Sequence, residues 1–471
     1  MKRKSISLIL LIILIGASAG YGGDIAITIY NSNLGLVKDV RQLEFKKGVN
    51  FLDFDEVASQ IDATSVNFSC LDNKNVAVLE QNYLYDLVST EALLKRYIGL
   101  NIEIIAEDDR IYQGKLLSYD NSNSVFGGTE GNVILSDEDG QVLMVALSKV
   151  ADCKFPSLPE GLILKPTLRW QIDSPSKGAK KCEVSYLTGG INWQADYVAV
   201  VSAKDDKLDL AGWVTINNTS GATYENAKMK LVAGDIHRVT ERGRGEMDMV
   251  SYAAPMAKGA RRPQFEEEAF FEYHLYTLNR PATLNDREIK QLSLFPTTEA
   301  KVKKVYIFDA SQSGYRRNQD DKVKIKVNLE FENSEKAGLG MPFPKGKLRV
   351  YKEDSQKALQ FVGEDLIDHT PKDEKVRVYL GDAFDITGTR KQVNIEDLGG
   401  DRRRETFEIK LKNHKDDDVM VTVVEHPRGW REWEIKNSSH PYKKIDNHRI
   451  EFEIDVNSDG EEILNYTIQY N

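Results

Sequence analysis

The chain has 471 residues, 41% of them hydrophobic, with 63 Lys and Arg against 73 Asp and Glu and a formal net charge of −10. That acidity argues against nucleic acid and anionic lipid as partners, because neither offers counter-charge. Three cysteines in so long a chain exclude a disulfide framework, and the length predicts about three domains with real cores.

Lys2, Arg3 and Lys4 precede an apolar run from Ile6 to Ile15, and Ala17-Ser18-Ala19 follows with small residues at the cleavage spacing. Residues 1–19 therefore read as a secretory signal peptide. The apolar run is shorter than the about 20 residues that span a bilayer, and no later run is comparable, so no transmembrane segment is expected. The mature chain is expected to be exported, to the periplasm or the extracellular space. Loss of the leader's three cations takes its net charge from −10 to near −13. Gly16-Ala17-Ser18-Ala19-Gly20 matches the G-x-S-x-G of a nucleophile elbow, but that pattern has meaning only on a strand-to-helix turn.

Strict alternation begins at Asp24 to Ile29, the mark of half-buried strands, and predicts an N-terminal β domain over residues 20–95. Ser89 or Thr90 as a cap, Glu91 in the first turn and Gly99 at the end predict a short helix over 89–98, with Leu93, Leu94, Tyr97 and Ile98 on one face. Residues 96–158 carry short strands separated by acidic turns, which suits a small closed barrel of the SH3-like or Sm-like kind.

Residues 159–239 and 269–390 read as two parts of a large β-sandwich region, with Trp170, Trp193 and Trp213 filling its core. Between them, residues 240–268 replace alternation with Gly, Pro, Met, Arg and the run Glu266-Glu267-Glu268, predicting a mobile loop. A second polar break at 390–404 precedes a C-terminal β-sandwich unit, residues 391–471. The expected fold class is all-β: several antiparallel sandwich or immunoglobulin-like units plus the small barrel, with few short helices.

The stretch GEDLIDHTPKDE, residues 363–374, holds five carboxylates and a histidine. Leu359 and Phe361 alternate before it and Val376, Val378 and Leu380 after it, which predicts a strand-to-strand connection turning at Pro371 to Asp373. Because loops also carry sites, Asp365, Asp368 and His369 are the candidate ligand-binding residues.

Other candidates read as structural. Asp455-Val456-Asn457-Ser458-Asp459-Gly460 matches half of a calcium loop, but the twelfth position is Tyr466 instead of a carboxylate, so a hairpin turn is expected. The seven histidines lack the i, i+4 spacing of a helical zinc pair, and no metal is expected. Cys70, Cys153 and Cys182 read as buried small hydrophobes, with Cys153–Cys182 the expected pair if one bridge forms. No local signature of nucleophilic catalysis is present in the mature chain, and neither catalytic residues nor a cofactor are expected.

Tyr186 to Tyr197 (YLTGGINWQADY), Leu210 to Gly221 (LAGWVTINNTSG), Leu231 to Asp235, Glu272 to Tyr276, Gly340 to Pro344, residues 363–374, Gly381 to Asp385 and Asn413-His414 carry a resemblance. Together they resemble bacterial exported proteins of the domain of unknown function 4139 family, over roughly residues 165–471. The resemblance implies an exported β-rich protein, some of whose relatives are connected with mucoid exopolysaccharide, and implies no reaction. The functional expectation is a non-enzymatic binding or structural component of the bacterial cell envelope, with an envelope protein or surface polymer as partner. The alternative is a hydrolase of envelope polysaccharide or peptide, whose paired carboxylates would be close in space and not in sequence.

Overall fold

Alternating sequence becomes sheet almost throughout a computed structural model of the chain, which describes residues 23–119, 131–157, 159, 162–234, 264–312, 321–400, 402–428 and 432–471. The signal-peptide residues lie outside this set. The chain is all-β, and among the described residues the only α-helix is Thr90–Tyr97. As predicted, the Ser89 side chain caps that helix by accepting the Ala92 N–H, and Gly99 follows in the left-handed conformation. Leu94 and Tyr97 are buried, whereas Ile98 of the predicted face is exposed.

Three sheets share the largest core. In the eight-stranded sheet, Asp24–Tyr30 pairs antiparallel with Leu34–Phe45 and parallel with Tyr224–Ala233. Asn67–Cys70 forms its far edge, against Gly178–Thr188. The strand Thr167–Ser174 lies between Gly48–Asp55 and Ala77–Leu84. The third sheet runs Glu288–Lys301, Lys207–Asn218, Ile191–Val201, Gly346–Glu353, Leu359–Ile367. Strands from residues 20–95 are thus paired directly with strands beyond residue 166, and the segment around the helix is inserted between Ala77–Leu84 and Thr167–Ser174. Alternation is a local property and carries no record of which distant strand will be the neighbour.

Trp170 and Trp193 fill this core as expected, but Trp213 is 39% exposed. It falls on the outward phase of its strand, in which Leu208, Leu210, Gly212, Val214 and Ile216 are the buried positions.

The inserted unit forms an open five-stranded sheet in the order Val150–Lys154, Asn101–Ala106, Ile111–Tyr119, Asn132–Ser136, Val142–Ala146. Among the described residues its two edge strands are not paired with each other, so the expected barrel does not close. Leu94 and Tyr97 of the helix instead pack with Ile102, Ile104, Leu116 and Val133.

A nine-stranded sheet builds the second core. The predicted polar break at 390–404 is a hairpin: Lys375–Gly399 turns at Gly399 and Gly400, both with positive φ, into Arg402–Asn413. Its polar residues are held in the sheet by cross-strand ion pairs such as Arg404–Glu396. The 390/391 boundary therefore falls inside a strand. Asp321–Glu332 and Lys375–Gly399 tie the two cores together: Leu329, Phe331, Val376 and Val378 belong to the first, Val323, Ile325 and Ile386 to the second.

The turn at Asn457 to Gly460 links two strands but is not a hairpin. Ile450–Val456 pairs with Val419–Glu425, while Glu461–Tyr470 pairs with Arg402–Asn413, so the chain arches from near one end of the nine-stranded order to near the other. Asn413, 1% exposed, holds the arch through its Nδ2, which donates to the carbonyls of Asp417 and Asn457. Most of the predicted mobile loop lies outside the described residues, but Glu266–Glu268 belongs to the strand Phe265–Phe270, where Phe265 is buried and Glu267 meets His274 at 2.7 Å.

In the nine-stranded sheet Asp309 accepts hydrogen bonds from the Ser311 N–H, the Ser311 hydroxyl and His426 Nε2. Burial works against its ionisation, but these donors outweigh burial and hold the carboxyl at about 2, against 3.8 ordinarily. A depressed folded pKa adds stability above pH 4 that disappears as pH falls towards 2. Asp309→Asn is expected to destabilise the protein at pH 7 and to match the wild type near pH 2, as measured by urea unfolding at both values.

Candidate functional site

Two irregularities in strand register define the site. Along Leu359–Ile367, Phe361 faces Tyr351 and Gly363 faces Val350, leaving Val362 as an extra residue. Along Lys375–Gly399, Tyr379 faces Asn328 and Gly381 faces Val327, leaving Leu380 as an extra residue. Both bulged side chains line one cleft of about 260 Å³, together with Val201, Val327, Leu329 and Val350. Glycine next to each bulge permits the geometry. A Cβ on Gly363 would stand 2.7 Å from the Leu380 carbonyl oxygen, and Gly381 has φ +137°.

The rim is charged. Asp205 sits in the turn between Ile191–Val201 and Lys207–Asn218 with φ 57°, a left-handed conformation that aspartate tolerates. Its carboxylate accepts from Lys304 Nζ at 2.7 Å and from Lys352 Nζ at 2.5 Å. Burial opposes ionisation of Asp205, but the two ammonium groups prevail and hold its pKa below the ordinary value. Asp382 accepts from Lys324 Nζ at 2.8 Å and from the Tyr379 hydroxyl at 2.9 Å. The lining thus carries two lysines and two aspartates, with Lys304 and Lys352 sharing one carboxylate and Asp382 paired with Lys324 beside it. An apolar floor under such a rim can hold an aliphatic group and place an anionic neighbour against Lys304 and Lys352.

The sequence-derived residues lie on the strand beside this cleft and in the connection that follows it. Asp365 is not in a loop: it lies within Leu359–Ile367, and its Oδ2 accepts the Tyr379 N–H at 2.8 Å, pinning that strand to Lys375–Gly399. Only residues 368–374 form a connection, with Asp373 at φ 65°. Asp368 is exposed and its carbonyl accepts from the Thr370 hydroxyl, while His369 Nδ1 accepts the Lys345 N–H at 3.2 Å. No group of three or more His, Cys, Asp or Glu among the described residues is arranged to hold a metal ion.

Four of the segments carrying the resemblance, 186–197, 272–276, 340–344 and 363–374, meet in one joint. The Tyr197 hydroxyl donates to the Pro344 carbonyl at 2.8 Å and the Tyr276 hydroxyl to the Pro342 carbonyl at 3.0 Å. Asn333 Nδ2 donates to the carbonyls of Met341 and Pro371. These contacts fix the connection at 368–374 against the Gly340–Pro344 loop, which accounts for those residues structurally.

Sequence reasoning missed Asp205, Lys304, Lys352, Val362 and Leu380. The available signal was Gly363 and Gly381, each interrupting an alternating run, where glycine inside a strand marks a bulge or a close approach. No protein-family model matches the chain, and no curated protein is similar to it. Among the described residues no helix is long and apolar enough to cross a membrane.

Proposed function

We propose that this chain is an exported, non-enzymatic binding component of the bacterial cell envelope, related to the domain of unknown function 4139 proteins, and that its partner is an extended segment of an envelope protein. The observation that carries this reading is the cleft, with an aliphatic floor that includes two bulged residues and a rim on which Lys304 and Lys352 share the Asp205 carboxylate. The segment supplies an apolar side chain to the floor and an acidic group to Lys304 and Lys352.

Purified mature protein titrated against a peptide library is expected to select an apolar residue followed by an acid. Lys352→Gln, which keeps a donor near Asp205 and leaves its pair with Lys304, should weaken that binding about tenfold, on the order of 1.4 kcal/mol, with the melting temperature little changed. Preference for an acidic polysaccharide over every peptide would redirect the reading to a surface polymer. Turnover of glycan or peptide substrates that a single carboxylate substitution abolishes would defeat it.

A further inference from the structure

Cys70 and Cys182 stand directly opposite each other on neighbouring antiparallel strands, Asn67–Cys70 and Gly178–Thr188. The adjacent pair, Leu71 and Lys181, is joined by a backbone hydrogen bond from Leu71 N to Lys181 O at 2.8 Å. Hydrogen-bonded and non-hydrogen-bonded pairs alternate along an antiparallel ladder, so Cys70 and Cys182 form a non-hydrogen-bonded pair. Such pairs bring their Cα atoms to about 4.5 Å and their side chains closest together, within the about 4.4–6.8 Å that a disulfide spans. Both side chains point into the first core, where burial and then the neighbouring Cys70 thiol push the Cys182 pKa up. The expected alternative, Cys153 with Cys182, is not available: Cys153 packs against the core of the inserted unit, whereas Cys182 belongs to the first core.

We infer that Cys70 and Cys182 are the site of a cross-strand disulfide that staples the edge of the eight-stranded sheet, leaving Cys153 as the single thiol. All three cysteines are thiols in this structure. The two thiols lose two protons and two electrons as the Sγ–Sγ bond forms. The electrons reduce an incoming protein or glutathione disulfide to its two thiols, through a mixed disulfide with one of the cysteines. Cys182 is fully buried, so exchange takes place during folding or when Asn67–Cys70, an edge strand, lifts away. Export to an oxidising compartment would supply the disulfide donor.

The test uses the full mature chain, refolded in glutathione and glutathione disulfide, so that it does not depend on where the protein resides. After denaturation and alkylation without reductant, one thiol is expected to label, at Cys153, and a proteolytic fragment should link Cys70 to Cys182. Reduction should expose three thiols and lower the melting temperature by about 5–10 °C, because the bridge closes a loop of more than about 100 residues. Cys70→Ala should melt with the reduced wild type and be insensitive to reductant, whereas Cys153→Ser should keep both the linked fragment and the reductant-sensitive melting. Three labelled thiols in the oxidised sample, or a link that includes Cys153, would overturn the inference.

Discussion

Glu425→Ala is expected to cost about 3–5 kcal/mol, because it leaves a buried guanidinium without its partner. Arg390 meets Glu425 through two parallel hydrogen bonds, Nε at 2.7 Å and Nη2 at 3.0 Å, with side chains only 12% and 4% exposed. The Arg390 guanidinium also lies 3.9 Å above the Phe407 ring, which in turn stacks on Tyr466 at 5.3 Å. Burial works against the charge on Arg390, but the Glu425 carboxylate beside it prevails and raises its pKa. The pair is costly to desolvate, so replacing both partners by Arg390→Met and Glu425→Leu should recover most of the loss. Urea unfolding of the single and double variants checks both outcomes. A double variant as unstable as the single would mean that the charges make a net contribution beyond mutual compensation.

Trp170→Ala is expected to cost a comparable amount, about 3–5 kcal/mol, by leaving a cavity where three strands meet. Trp170 lies in Thr167–Ser174, the central strand of its sheet, and is fully buried. Its ring centroid is 5.9 Å from that of Phe54 and 5.0 Å from that of Phe68, and its Nε1 donates to Gln81 Oε1 at 2.8 Å. The substitution therefore removes aromatic packing, while the exposed Gln81 turns to water. Trp170→Phe should recover part of the packing volume and so fall between the two in thermal unfolding.

What could be read from the sequence was local. The alternation of Ile450–Val456 becomes a strand with every second residue buried, and the Ser89 cap places the helix. Pairing is not local: Asp24–Tyr30 lies parallel to Tyr224–Ala233, about 200 residues away, and nothing in either segment's alternation encodes that choice. The Asn457–Gly460 turn shows the same limit, since a hairpin and an arch share one turn sequence and differ only in which strands are paired. The charged stretch at 363–374 begins beside the cleft, because Gly363 opens it and Val362 precedes it. Its carboxylates drew notice through their number, whereas the cleft is built from aliphatic side chains that a bulge redirects. Lys304 and Lys352 are ordinary residues of alternating strands until the Asp205 turn brings them together.

The most direct test of the cleft's role is a methyl NMR titration of the mature protein with the peptide selected from the library. Saturable shifts at Val201, Leu329, Val350, Val362 and Leu380 are predicted, with the response lost in Val362→Asp while the remaining methyl spectrum stays that of the folded protein. Saturable shifts confined to other surfaces, such as the exposed face around Phe51 and Arg169, or a response unchanged in Val362→Asp, would contradict the assignment of binding to the cleft.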